Sequence, residues 1–280
     1  MKVLLANIPW EKDGKTGIRA GSRFPHIKNK VEEADYLSFP FFLAYAAALL
    51  RKNNFSVKLI DAIAEGMTER LFLDELKSYN PDLIVIETST VSLEDDLSLI
   101  EKIESNSKIA LCGPDINITR PEFLRINKKI DYILKGEYEF TLLDLVNHLS
   151  SDSNLNDLKG LNYRDSKGDI RINPDRPLIK NLDELPWPLR DDLPMEKYVD
   201  APCGMPLPSV QMISSRGCPY GCSFCLWPQV MYGDRQYRVR STKDVVDEME
   251  WLVENKGFKS IYFDDDTFNI GKVRIFEICK

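Results

Sequence analysis

No run of this chain is apolar for long enough to cross a bilayer. The longest, FPFFLAYAAALL at 39–50, has about half of the roughly 20 residues a spanning helix needs. Positive charge is not in excess either. With 37 Lys plus Arg against 44 Asp plus Glu, the net charge is −7, which argues against a broad nucleic-acid or anionic-membrane surface. The opening residues, MKVLLANIPWEKDGK, turn polar after a short apolar run, so they are expected to form a strand and not a signal peptide. Internal repeats and low-complexity tracts are missing. A cytoplasmic protein is the simplest expectation, and its six cysteines are then not expected to pair as disulfides. Clustered cysteines in that setting point to metal or redox chemistry. What is there is an ordinary globular composition, 43% hydrophobic and 29% charged, in 280 residues that suffice for two domains.

The first 150 residues alternate strand-like and helix-like segments. KVLLAN (2–7), SVKLID (56–61), DLIVIE (82–87), KIALC (108–112) and DYILK (131–135) are short apolar runs suited to strands buried on both faces. Between them Phe72, Leu76 and Tyr79 share a helical face, as do Leu93, Leu97, Ile100 and Ile103, and Leu142, Leu145, Val146 and Leu149. Five such βα units predict a doubly wound α/β domain with ligands beyond the carboxyl ends of its strands. Some of the loops there are short and small: Thr88-Ser89-Thr90, Gly113-Pro114-Asp115 and Gly136-Glu137. They either let backbone approach a large flat or phosphate-bearing ligand or are simply tight turns. The loop after the first strand, IPWEKDGKTGIRAGSRFPHIKN, is far longer than an ordinary βα connection.

Residues 151–208 change character. GLNYRDSKGDIRI (160–172) reads as a hairpin turning at Asp165–Gly168, and half of the 16 prolines then fall between Pro174 and Pro208. That stretch is expected to be an extended connector at a domain boundary. From Val210 the βα pattern restarts: VQMISS as a strand, then STKDVVDEMEWLVENKG as a helix capped by Ser241, with Asp244 three residues on. Val245, Met249, Leu252 and Val253 are its expected buried stripe. SIYFDDDTF is a second strand ending in Asp264, Asp265 and Asp266, and GKVRIFEICK begins another helix.

Between the first of these strands and its helix lies RGCPYGCSFCLWPQ, residues 216–229, with Cys218, Cys222 and Cys225 spaced C-x3-C-x2-C. No fourth cysteine follows within fifty residues, and the others are the distant Cys112, Cys203 and Cys279. A structural zinc site wants four ligands, usually in two pairs. A ferredoxin-like electron carrier would want a fourth clustered cysteine. Three thiols on a Gly/Pro loop also make a poor core segment. An iron–sulfur cluster held by three thiolates leaves one iron open to a substrate, which the spacing suits.

The motif C-x3-C-x-(aromatic)-C at a strand end, with Phe224 as the aromatic residue, resembles the signature of radical S-adenosylmethionine (SAM) enzymes. The preceding α/β domain, the proline-rich connector and RVRSTKDVVDEMEWLV together resemble the cobalamin-binding branch of that superfamily. The resemblance implies a Rossmann-like cobalamin-binding domain over 1–150, a hairpin and linker over 151–208, and the start of a partial (β/α) barrel over 209–280. It implies a 4Fe–4S cluster on Cys218, Cys222 and Cys225, with SAM chelating the open iron and Phe224 beside its adenine. One electron would cleave SAM to a 5′-deoxyadenosyl radical, for methyl transfer or another modification at an unactivated carbon. One of Asp264, Asp265 and Asp266 would contact SAM, unless these acids simply form a solvated strand end or cap. Flavodoxin or ferredoxin would supply the electron to act on an unidentified small-molecule or lipid-like substrate.

Many cobalamin domains carry D-x-H-x-x-G after the first strand, and this sequence does not. Its two histidines, His26 and His148, are expected to have surface roles, so no protein histidine is expected on cobalt. Thr88, Ser89, Thr90, Gly113 and Pro114 would surround the nucleotide tail. Pro9 and Trp10 would lie at the upper edge of the corrin, with Trp10 equally suited to plug the top of the sheet. Gly136 and Glu137 would close the far side. A barrel of this family has about six βα units and this sequence supplies two after the connector. Little or no turnover is therefore expected of the chain alone, and the alternative is a non-catalytic corrinoid or iron–sulfur binding module.

Overall fold

The computed structural model describes residues 1–21, 23–113, 121–151, 153–198, 204–225, 230–233 and 235–280. In chain order the elements are β1 (Lys2–Asn7), β2 (Glu11–Lys12), β3 (Lys15–Ala20), β4 (Arg23–Lys28), α1 (Phe41–Lys52), β5 (Ser56–Asp61), α2 (Ala62–Glu65), α3 (Glu69–Tyr79), β6 (Leu83–Glu87), α4 (Leu93–Glu101) and β7 (Lys108–Cys112). They continue with α5 (Pro121–Ile126), β8 (Tyr132–Leu134), α6 (Glu139–Ser151), β9 (Leu161–Arg164), β10 (Ile170–Ile172), β11 (Ser209–Met212), β12 (Ser215–Arg216), β13 (Arg238–Val239), α7 (Thr242–Glu254), β14 (Ser260–Phe263) and α8 (Lys272–Ile278).

The main sheet runs β10-β9-β8-β7-β6-β1-β5. Its five βα-derived strands are mutually parallel. Because β5 pairs on one side of β1 and β6 on the other, the order reverses between β1 and β6. That crevice is where doubly wound sheets bind ligands. Alternate residues of β1 enter opposite core layers, Val3 and Leu5 beneath α1 and α6, Leu4 and Ala6 against α3, α4 and α5. The apolar α1 is buried nearly all round because the connector also covers it: Leu189 N donates to Ala44 O at 3.0 Å, and Leu182, Leu185 and Leu193 join the same core.

Three details depart from the sequence reading. The long loop after β1 is a three-stranded antiparallel flap, β2-β3-β4, whose strands are too short and charged to show period-two alternation. The 160–172 hairpin does turn at Asp165–Gly168, but β9 pairs antiparallel with β8, so the hairpin extends the main sheet. On α7 the stripe is Val245, Glu248 and Leu252, while Val253 is 47% exposed. Glu248 replaces Val253 inside because Arg190 and Arg240 both reach it there, at 3.2 and 2.5 Å.

Beyond the connector, β11 and β14 form a parallel pair joined through α7, over a small core of Val210, Met212, Val245, Leu252, Phe258 and Ile278. Ser241 caps α7 by accepting from Asp244 N, as the sequence indicates. Asp244 itself turns to Arg240 and Trp187, and Asp183 accepts from Ser241 N instead.

Candidate functional site at the cysteine loop

Ser214 to Gly217, the root of the cysteine loop, are all buried. The acids that end β14 build this root. Asp265 accepts from Ser214 N at 2.7 Å and from the Ser214 and Ser215 hydroxyls at 2.6 and 2.5 Å. Asp266 accepts from Gly217 N at 2.9 Å and from Tyr232 Oη at 3.0 Å. Asp264 is buried with Tyr36 Oη 3.3 Å away. Burial pushes the Asp265 carboxyl above its ordinary range, opposed by the hydrogen bonds from Ser214 and Ser215. Gly217 has φ +89°, and a Cβ there would meet Gln236 O at 1.9 Å, so only glycine lets β12 turn into the loop so close to the returning chain.

From the other side, the root is held by the N-terminal sheet. Arg216 is wholly buried, with Nη1 3.2 Å from Glu137 Oε1 and Nη2 2.6 Å from Glu139 Oε1. Its guanidinium lies over Phe42 and Tyr45 of α1, 4.7 and 5.1 Å from the ring centroids. Arg238 adds a second pair to Glu137 at 2.7 Å, and Ile179 N donates to the same carboxylate. Burial alone would raise the Glu137 carboxyl, but Arg216 and Arg238 outweigh it and hold the group below its ordinary range. For Glu139 burial wins over Arg216, and its carboxyl is raised.

The tip is different. Pro219 to Phe224 are exposed, Phe224 at 90%, while Cys218 and Cys225 are half-buried. Cys225 N donates to Cys222 O at 3.1 Å, a turn that puts these two cysteines at its ends. Among the described residues no three His, Cys, Asp or Glu side chains gather about a common point as the ligands of one ion would. A structural zinc wants four ligands and this loop brings three thiols; three cysteines on one short loop are the donor set of a four-iron cluster with one open iron.

The residues expected to border cobalamin are mostly engaged already. Arg19, from the flap, fills the β1/β6 crevice: it donates to Asn7 Oδ1 at 2.5 Å and to Glu87 O at 3.3 Å, and pairs with Asp96 at 2.6 Å. Thr88 Oγ1 and Ser92 Oγ donate to Asp96 Oδ2, and Ser89 pairs with Ser92. Trp10 is buried beneath the flap, its Nε1 donating to Asp95 at 2.8 Å, beside the buried Pro9. Gly113, at φ +127°, is pressed against the Thr88 carbonyl. Pro114 lies outside the described residues. Thr90 is exposed, and Gly136 and Glu137 border a cleft of about 400 Å³ that also meets Arg176, Met231 and Tyr232. The two histidines are half-buried, His26 in β4 and His148 in α6. The three cysteines are a donor set that fits a cluster, whereas among the described residues Arg19 fills the crevice between β1 and β6, Thr90 is exposed at that edge, and Gly136 borders a cleft.

Sequence reasoning missed Arg216, Glu139, Tyr232 and Arg238. A signal existed for some of them. Two acids in GEYE (136–139), at the loop-bearing end of a strand, and an arginine directly before the cysteine motif are charged residues in otherwise buried positions.

No family model matches the chain. It is 36% identical over 242 residues to an uncharacterised methyltransferase of Pyrococcus horikoshii, covering 85% of this chain and 51% of that protein. The radical SAM methyltransferase TsrM of Kitasatospora setae, solved with cobalamin and a 4Fe–4S cluster bound, superposes with TM-score 0.66 at 18% identity, over 99% of this chain and 50% of that one. The cobalamin-dependent SAM radical enzyme OxsB, solved with aqua-cobalamin and SAM, gives TM-score 0.67 at 23% identity, over 99% and 36%. The chain spans about half or less of the length of the curated relatives it matches.

Proposed function

The chain belongs to the radical SAM family whose members carry an N-terminal cobalamin-binding domain, and from that premise we propose that it binds a 4Fe–4S cluster through Cys218, Cys222 and Cys225 and presents its fourth iron to SAM. The chemistry such a cluster supplies is one-electron reductive cleavage of SAM, giving a 5′-deoxyadenosyl radical for methyl transfer or another modification at an unactivated carbon. The observation that carries this reading is the loop itself: a root fixed from both sides and a tip that exposes Cys222 and half-exposes its two companions. Phe224, projecting at the tip, is the group on offer to the SAM adenine. Asp265 and Asp266 serve by holding the loop root. Cobalamin, without a histidine on cobalt, is assigned to the Thr90 and Gly136 side of the sheet edge. A flavodoxin or ferredoxin is the proposed electron source.

Anaerobic reconstitution with iron and sulfide, followed by electron paramagnetic resonance with and without SAM, tests this. About four irons per chain and a spectrum that changes with SAM are expected. Zinc in place of iron, or a cluster whose spectrum ignores SAM, would overturn it.

A second reading is a corrinoid or cluster-binding module without turnover; among the described residues the β11–β14 sheet has two strands. On that reading, reconstituted chain releases 5′-deoxyadenosine at no more than trace rates. Steady multiple turnover would sink that second reading and leave the first.

A further inference from the structure

Past the last paired residues of β11 and β14, Met212 and Phe263, the two chains continue side by side through side-chain contacts. Asp265 holds Ser214 and Ser215, and Asp266 holds Gly217. The next residue makes the next contact. Thr267 Oγ1 lies 3.0 Å from Cys218 Sγ. The hydroxyl is also 2.7 Å from the Asp266 carbonyl oxygen. One hydroxyl proton serves one acceptor at a time. Beside a neutral thiol the carbonyl is the better acceptor. Beside a thiolate the charged sulfur is, because hydrogen bonds to ionised groups are roughly twice as strong. The two anchored carboxylates fix both chains immediately before this contact, so its geometry continues that of the root.

We propose that Thr267 is a tuning and positioning residue for the metal cluster: its hydroxyl donates to the Cys218 thiolate, orients that ligand and raises the cluster's reduction potential. The inference rests on the cluster-binding reading above. Potentials of iron–sulfur clusters depend on hydrogen bonds to their sulfurs. A donor aimed at a ligand sulfur stabilises the more negative, reduced state more than the oxidised one, and so eases the uptake of an electron. Partners of this kind around a metal's ligands commonly matter nearly as much as the ligands themselves.

The test compares wild type, Thr267→Val and Thr267→Ser after anaerobic reconstitution, reading iron content and the midpoint of a redox titration followed by electron paramagnetic resonance. Valine keeps the shape and removes the donor, and serine keeps the donor. At the wild-type midpoint, the ratio of reduced to oxidised cluster is expected to fall about tenfold in Thr267→Val, equivalent to about 59 mV for a one-electron couple. Thr267→Ser is expected to titrate as wild type. Equal iron and equal midpoints in all three would overturn the inference while leaving the cluster reading intact. Failure of wild type itself to take up iron would overturn the cluster reading, and this inference with it. If Thr267→Val takes no iron, a Thr267→Ser protein that loads and titrates as wild type supports the role of the hydroxyl, and one that does not load overturns it.

Discussion

Residues 214–217 are buried and gripped by carboxylates from two other parts of the chain, whereas residues 219–224, starting two positions later, are exposed. The root takes its partners from β14 and from the N-terminal sheet: Asp265, Asp266, Glu137 and Glu139. At the tip Cys225 N donates to Cys222 O, and Gly221 lies close against the Arg235 guanidinium. The contrast teaches where such a loop keeps its rigidity. The fold fixes the backbone up to the first cysteine, whereas the other two cysteines lie on the exposed side of the loop, where, on the proposed reading, metal would complete their arrangement. Burial and the proposed ligand binding are thereby separated along twelve residues, 214–225.

Arg216→Met should break that contrast most severely. It leaves Glu137 and Glu139 buried with one arginine between them, and loss of one side of a buried charge pair costs about 3–5 kcal/mol. Urea unfolding of the metal-free chain measures it. A loss below about 1 kcal/mol would mean the root is not anchored electrostatically.

Glu137→Gln should cost less and depend on pH. Glu137 is held below its ordinary value of 4.5, so its contribution is fully present above that pH and is lost as pH falls through the lower folded value. The variant is expected to be about 1.5–3 kcal/mol less stable than wild type near neutrality, with the gap closing below pH 4.5. A gap that stays constant down to pH 3 (roughly one unit below the free glutamate value) would show that the stabilisation is not ionic.

The smallest effects on stability should come from the tip. Cys222→Ser and Phe224→Ala are each expected within about 0.5 kcal/mol of wild type without metal, while Cys222→Ser loses the cluster. If either unfolded the chain as readily as Arg216→Met, root and tip would have to be treated as one unit.

The parallel sheet was legible because its strands are apolar on both faces; the apolar run at 39–50 stood out in the sequence, but its helix, α1, was not read from it. The three cysteines were legible by spacing. The flap was not, since KTGIRA and RFPHIK carry no clean alternation and its purpose, delivering Arg19 to the β1/β6 crevice, depends on Asn7, Glu87 and Asp96 from three other segments. Nor was the exchange of Val253 for Glu248 on α7. Helical periodicity assigns the hydrophobe inward, and only the two arginines converging from the connector and from β13's end reverse that. For the acids that follow β14, sequence position indicated the correct end of the strand, but their partners, Tyr36, Ser214, Ser215, Gly217 and Tyr232, come from distant parts of the chain.

Glu137 and Arg216 stand 79 residues apart, on opposite sides of the proline-rich connector. A connector of that composition looks like a natural place to cut and rejoin, as if the two halves were interchangeable modules. The buried ions make it otherwise. A chimaera joined there has a compatible seam only if Glu137, Glu139, Arg216 and Arg238 are carried together, since a half that brings its charges to a neutral partner strands them away from water. The two halves are therefore not freely interchangeable: any exchange at the connector is constrained at four buried positions.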